Sequence, residues 1–492
     1  MQIHRTLPLS LALAVSLIAQ GQRPHPEGSR LIVPVVVHAG GIHSEFRSDV
    51  FLFNRGLTFA DLSLTFTPSG ADGTSQFIAA QQILAPGHMV AFQDVVATLF
   101  HTTGSGALEI SGDVATILAR STTYNVTSRG KVGQSVIAVS ADDAIGIDEQ
   151  PLVLMPLGEP GVARTNIGIT ETAGKSGIAK VRFGTGFFPG ETIEIPILPF
   201  SHRQVPITIT SVIGSVGAAV EVISGDARVV AYASIIENRS GDPMYIAGKR
   251  PPASRQVIPV AAHLDSKWAS EMWYAHLPSQ PDVIIFPLGS LPAPPPPPPP
   301  VLTFYPSHQP DAPRTHQVHN AAFSFYTNSA VAAFFGFFDA AAGQIQFAPS
   351  QDGFLTTRLW TYAGFPGADE GTVGQLIDPV PVANAIGDGE WADAIGIAMT
   401  SERRTNVGIT EITGAPARVQ VAFVNELGTA VGMREVDVPA YGHVQFSITA
   451  IAVGSIDLAR LRFTVIGGSG RVFGYASVVE RTTNDPTFIL AE

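Results

Sequence analysis

The stretch RTNIGITE at 164–171 returns almost unchanged as RTNVGITE at 404–411, and a longer echo follows each copy. GDARVVAYASIIENRSGDPMYI (225–246) answers GSGRVFGYASVVERTTNDPTFI (468–489). The displacement is 240 residues between Arg164 and Arg404, and 243 from Tyr232 to Tyr475 and from Asp242 to Asp485. Self-similarity at a fixed offset constrains a fold more than any single motif, because each copy must build the same local structure. Here it requires two homologous units.

The segment before each copy repeats more weakly. LIVPVVVHAGGIHSEFRSDVFLF (31–53) answers QVIPVAAHLDSKWASEMWY (256–274), ARSTTY (119–124) answers TRLWTY (357–362), and GKVGQ (130–134) answers GTVGQ (371–375). The displacement rises from 222 to 238 across an insert at 282–300, which holds the run Pro294 to Pro300. RSDVFLFN (47–54) stands where RTNIGITE does, and GDVATILARSTTYN (112–125) aligns with 225–238. The spacing therefore predicts one module used four times, at 31–150, 151–250, 255–388 and 389–492. A leader at 1–21 and a linker at 22–30 precede them.

Within a module, Val419, Val421 and Phe423 alternate with Arg418, Gln420 and Ala422, and Leu461, Phe463 and Val465 alternate with Arg460, Arg462 and Thr464. Period-2 alternation, interrupted by Gly and Pro, predicts half-buried antiparallel strands. About seven such runs per hundred residues is the density of a two-sheet sandwich. The expected fold is all-β: four tandem immunoglobulin-like antiparallel β-sandwich modules arranged as two homologous pairs. One or two helical turns are expected in QDVVATLFH (93–101), with Asp94 as N-cap.

The chain carries a net charge of −12 and no Lys/Arg cluster, so nucleic acid has no electrostatic footprint on it. The N-terminus offers His4 and Arg5, an apolar run from Leu7 to Ala19, and small residues at Ala19 and Gly21. That pattern predicts a cleaved secretory signal and an exported protein, extracellular, cell-surface or periplasmic. No later stretch is long and apolar enough to span a bilayer as a helix. With no cysteine, disulfides, thiolate-bound zinc and thiol catalysis are excluded.

His38 and His43 in HAGGIH, near Glu45 and Asp49, are candidate metal ligands, but their spacing fits no zinc pattern. Asp388, Glu390 and Asp393 in GDGEWAD offer calcium oxygens, although an acidic turn between modules accounts for them as well. No cofactor is expected. AGKS (173–176) has Ile169 where a phosphate loop needs glycine. The residues that recur (Arg164 and Arg404, Asn166 and Asn406, Tyr232 and Tyr475, Asp242 and Asp485) read as structural, because a catalytic site normally occurs once. Asp-Pro after a strand is a turn initiator. Arg164 and Arg404, at strand starts, are expected to pair with a carboxylate at a neighbouring module end.

FRSDVFLFN, TYN with GKVGQ, RTNIGIT and YASIIENRSGDPMYI together resemble a group of exported bacterial proteins built from tandem Ig-like β-sandwich modules. The resemblance covers nearly the whole chain after the leader. It implies the sandwich fold and export, and it brings no catalytic residues. The third module departs from it, with Ala269 in place of Arg47 and the proline insert. The expected function is non-enzymatic: adhesion, structure or binding of an extracellular glycan or surface protein. The competing reading is an exported hydrolase, or its accessory, with a site in a cleft between modules.

Overall fold

The computed structural model describes residues 17–18, 29–41, 44–185, 191–209, 216–250, 254–264, 267–276, 300–318, 324–348, 353–363, 370–452 and 454–492. The leader, apart from Leu17–Ile18, and the proline run, apart from Pro300, lie outside the described residues. Among the described residues the strands form six antiparallel sheets in two similar groups. The chain is all-β.

In the first group a ten-stranded sheet contains β1 (Leu31–Gly40), β2 (Glu45–Asn54), β3 (Ile117–Thr127) and β4 (Gly130–Ile137), hydrogen-bonded in that order. Two four-stranded sheets follow. One has the order β6-β5-β7-β8, built from β5 (Ala163–Glu171), β6 (His202–Ile207), β7 (Val229–Glu237) and β8 (Pro243–Ala247). The other joins Leu152–Leu154, Val216–Gly225, Gly177–Thr185 and Glu191–Ile197.

The second group repeats this plan. Its nine-stranded sheet contains β9 (Gln256–Leu264), β10 (Trp268–His276), β11 (Gly353–Tyr362) and β12 (Thr372–Ile377). Its facing sheet has the order β14-β13-β15-β16, from β13 (Arg403–Glu411), β14 (His443–Ser447), β15 (Val472–Glu480) and β16 (Pro486–Leu490).

RTNIGITE and RTNVGITE are thus β5 and β13, in identical register: Gly168 faces Tyr232 on β7, and Gly408 faces Tyr475 on β15. Both strands are buried on two sides. Ile167 and Ile169 pack with Val229, Ala231 and Ala233 between the paired four-stranded sheets. On the other face Tyr232 and Tyr245 enter the core of the ten-stranded sheet, beside Val33, Val50 and Leu108. Tyr475 and Phe488 do the same in the second half. Each half is therefore three layers deep, with β5 or β13 in the middle layer.

The IVPV and VIPV segments show how the layers join. Pro34 and Pro259 sit where the pairing of β1 and β9 shifts register, as a residue without an N–H requires. Their carbonyls accept hydrogen bonds from Thr170 Oγ1 (3.0 Å) and Thr410 Oγ1 (2.7 Å) in the adjoining layer.

Two local expectations change. The helical turn expected in 93–101 is present as α1 (Val95–Thr98), with Val95 and Val96 buried and Asp94 at the N-cap position; what changes is the cap itself. Asp94 does not cap it, because its carboxylate is engaged by His38 instead. A counterpart helix, α2 (Ala330–Phe335), occupies the second half between Ser329 at its N-cap position and Gly336, left-handed, at its C-cap. The match of ARSTTY to TRLWTY is displaced by two residues. Tyr124 pairs with Gly133 and Trp360 with Gly374, so Tyr124 corresponds to Trp360 rather than Tyr362.

Candidate functional site

The four strands β4, β8, β12 and β16, one from each large sheet and one from each facing sheet, come together where the halves meet. A cavity of about 110 Å³ lies among them, lined by Leu118, Met244, Leu376 and Phe488 with Gln134 and Gln375. Ordinary small-molecule sites occupy about 300–1,000 Å³, so this cavity is too small for a drug-sized ligand.

Beside it stands a buried charge cluster. Asp242, at the turn before β8, accepts from the Gly374 N–H (3.1 Å) and pairs with Arg358 (2.9 Å). Arg358 also pairs with Glu271 (3.1 Å), its cross-strand neighbour, whose other oxygen accepts from the Tyr326 hydroxyl (3.1 Å). Burial works against the charge on Arg358, but Glu271 and Asp242 outweigh it and hold the guanidinium protonated. Burial also raises the Glu271 and Asp242 carboxyls, with Arg358 opposing.

Asp485, the repeat mate of Asp242, accepts from the Gly133 N–H (2.6 Å) on β4. Burial raises its pKa well above the usual carboxylate range, and the negative charge of Asp242 raises it further. The two Asp-Pro turns therefore cross over: each ties a facing sheet of one half to the large sheet of the other. They are turns, as expected, but interlocking ones.

Tyr232 and Tyr475 are fully buried at the layer joints. The Tyr232 hydroxyl donates to Gln204 Oε1 (2.9 Å), and the Tyr475 hydroxyl donates to Gln445 Oε1 (3.2 Å). Each hydroxyl then accepts from a histidine Nε2–H, that of His202 (2.8 Å) or His443 (2.7 Å). Burial lowers both histidines to a pKa of about 4 and keeps them neutral. The tyrosines were legible as repeats. The histidines were missed, although the spacing His202-x-Gln204 and His443-x-Gln445 recurs and would have disclosed them.

Glu171 and Glu411 end β5 and β13 as buried carboxylates gathering loop amides. Glu171 accepts from the N–H groups of Ala173 (2.8 Å), Gly174 (2.7 Å) and Phe200 (2.7 Å). Glu411 accepts from Thr413 (2.6 Å), Gly414 (2.9 Å) and Tyr441 (2.7 Å). The AGKS loop thus wraps a protein carboxylate with the amides a phosphate would have used.

The remaining sequence candidates lie apart. His38 Nδ1 meets Asp94 (2.8 Å) as a strut from β1 to α1, and His263 meets Ser329 Oγ (2.9 Å) at the same place in the second half. His43 lies outside the described residues. Asp388 is exposed, Glu390 pairs with Arg471 (3.0 Å), and Asp393 is fully buried between Arg460 (2.5 Å) and Arg462 (3.0 Å). Among the described residues no three His, Asp or Glu side chains are grouped to hold a metal.

Arg164 donates to Asn238 Oδ1 (3.3 Å) and Arg404 to Asn484 Oδ1 (2.7 Å), so their partner is a turn amide of the same sheet rather than a carboxylate of a neighbouring module. The half-buried Asn166 and Asn406 face Ser234 and Ser477 across the ladder.

The chain matches no protein-family model and no curated protein.

Proposed function

We propose that this chain is a non-enzymatic, exported β-sandwich repeat protein that serves adhesion, structure or the binding of an extracellular glycan or protein. One observation carries the reading. The polar residues that recur at the 240-residue displacement each join strands, loops or layers: Glu171 and Glu411 gather amides, Tyr232 and Tyr475 tie layers, Asp242 and Asp485 lock the halves. Each of these recurring acids and hydroxyls is thus engaged in structure through at least one oxygen. Export rests on the N-terminal pattern, and fractionation of cells expressing the full chain tests it. Binding is tested by a glycan and cell-surface screen, run beside a panel of hydrolase substrates. Saturable binding without turnover supports the proposal; turnover overturns it.

The hydrolase reading keeps one observation in its favour. Asp242 and Asp485 are two raised, mutually repelling carboxyls near an inter-sheet cavity, which is the electrostatic pattern of an acid and base pair. A hydrolytic activity lost in both Asp242→Asn and Asp485→Asn, with melting temperature preserved, would favour it.

A further inference from the structure

The approximate symmetry of the halves exposes a position where a charge is missing. In the second half the cross-strand pair Glu271–Arg358 stands two residues before the pair Trp360–Gly374, and Arg358 bridges Glu271 to Asp242. In the first half the cross-strand pair Asp49–Thr122 stands two residues before the pair Tyr124–Gly133. Gly133 binds Asp485 as Gly374 binds Asp242. Both carboxylates of the triad are therefore kept, as Asp49 and Asp485, while the arginine has become Thr122.

The space left by the shorter side chain is present. A cavity of about 50 Å³ is lined by Asp49, Thr122, Tyr124 and Asp485. Asp485 is 1% exposed, and its Oδ1 has no hydrogen-bond partner. Asp242 Oδ1 is unpartnered as well, because Arg358 and Gly374 both use Oδ2 there, so the comparison rests on the oxygen that accepts from Gly133 and lacks an arginine beside it.

Arg120, Lys131 and Arg403 also line the cavity, and Arg403 and Lys131 act on Asp49 through space, but none of them bridges Asp49 to Asp485 with a hydrogen bond. Arg403 pairs with Glu480 (2.7 Å). Arg120 donates to the Ile395 carbonyl (2.7 Å) and to Thr122 Oγ1 (2.9 Å). Lys131 holds its ammonium over the Tyr124 ring, 5.3 Å from the centroid.

We propose that this void binds a guanidinium-type organic cation, bridging Asp49 and Asp485 as Arg358 bridges Glu271 and Asp242. At roughly 10–15 Å³ per water-sized group, the volume admits about four non-hydrogen atoms, the number in a guanidinium group. Asp49 Oδ1 already accepts from the Asp94 N–H (2.8 Å) and the Tyr124 hydroxyl (3.3 Å), which leaves Oδ2 and the Asp485 carboxyl to receive a planar donor. A calcium ion would need six to eight oxygens.

The test is thermal unfolding of the full chain at pH 8 in low-millimolar guanidinium chloride, against sodium chloride of equal ionic strength. A ligand that binds the folded state alone raises the melting temperature in proportion to its saturation. The expected result is a saturable upward shift of a few degrees, lost in Asp485→Asn and in Thr122→Arg. In Thr122→Arg, the new side chain supplies the guanidinium internally. Arginine amide is run in parallel: a shift with it as well assigns the site to the head of a larger ligand, and a shift with guanidinium alone assigns it to small free cations. Absence of a guanidinium-specific shift in the unaltered protein overturns the proposal, as does a shift that persists in Asp485→Asn. Should Thr122→Arg fail to fold, the Asp485→Asn comparison still decides.

Discussion

Gly168 lies directly beneath the ring of Tyr232, so close that a Cβ on Gly168 would come within 2.0 Å of two ring carbons. Gly408 and Tyr475 repeat the arrangement. The glycine shared by RTNIGITE and RTNVGITE is thus a seat for an aromatic ring from the neighbouring strand. Alanine at either glycine should cost about 1–3 kcal/mol by overpacking. Denaturant melts of Gly168→Ala measure this, and an unchanged midpoint would show that the ring can move aside.

Arg358 holds two buried carboxylates. Replacing it with methionine leaves Asp242 and Glu271 without a counter-charge, and should cost about 3–5 kcal/mol, the range for breaking one side of a buried pair. Adding Asp242→Asn and Glu271→Gln to Arg358→Met should recover much of that loss. A triple variant no more stable than the single one would argue against the charge explanation.

The crossed aspartates predict a loss of stability on the alkaline side. Burial pushes Asp242 up to about 7 from an ordinary value of 3.8, and Asp485 moves in the same direction. For acids raised in the folded state, this contribution is full below the unfolded pKa and is lost as pH rises through about 7. Asp485→Asn, whose amide oxygen can still accept from Gly133, should therefore stabilise the chain at pH 8 and do little at pH 4. Equal effects at both pH values in urea melts would contradict this.

The buried histidines predict the opposite limb. His202 and His443 are lowered from 6.5 to about 4, so their contribution is full above 6.5 and is lost as pH falls toward 4. A glutamine side chain keeps a donor for the tyrosine hydroxyl without titrating in this range. The double variant His202→Gln and His443→Gln should lose less stability than the parent between pH 6.5 and pH 4. If both chains fall by the same amount, the acid limb belongs to other groups.

The strand pattern and the repeat were legible because both are written locally. Val419, Val421 and Phe423 alternate in sequence and are fully buried in the fold, and β5 and β13 announce themselves by near-identity. What sequence could not supply was the second buried face of β5. Gly168 and Thr170 are small or polar, and only contact with another layer explains their burial. The partners of Arg358 were also hidden, since Asp242 and Glu271 reach it from separate sheets. Arg460 stands at a polar position of an alternating strand, yet it is buried because it pairs with Asp393 diagonally across the ladder.

The crossing of the Asp-Pro turns governs how the chain can assemble as it emerges from synthesis. Gly133 on β4 receives its partner only when Asp485 has been made, 352 residues later. Until then the edge of the first large sheet is left open, and contacts of such sequence separation form slowly. An open strand edge is the feature that recruits other chains. The first half without its partner is therefore the state in which this edge is least covered, and the turn at Asp485 is what reaches Gly133.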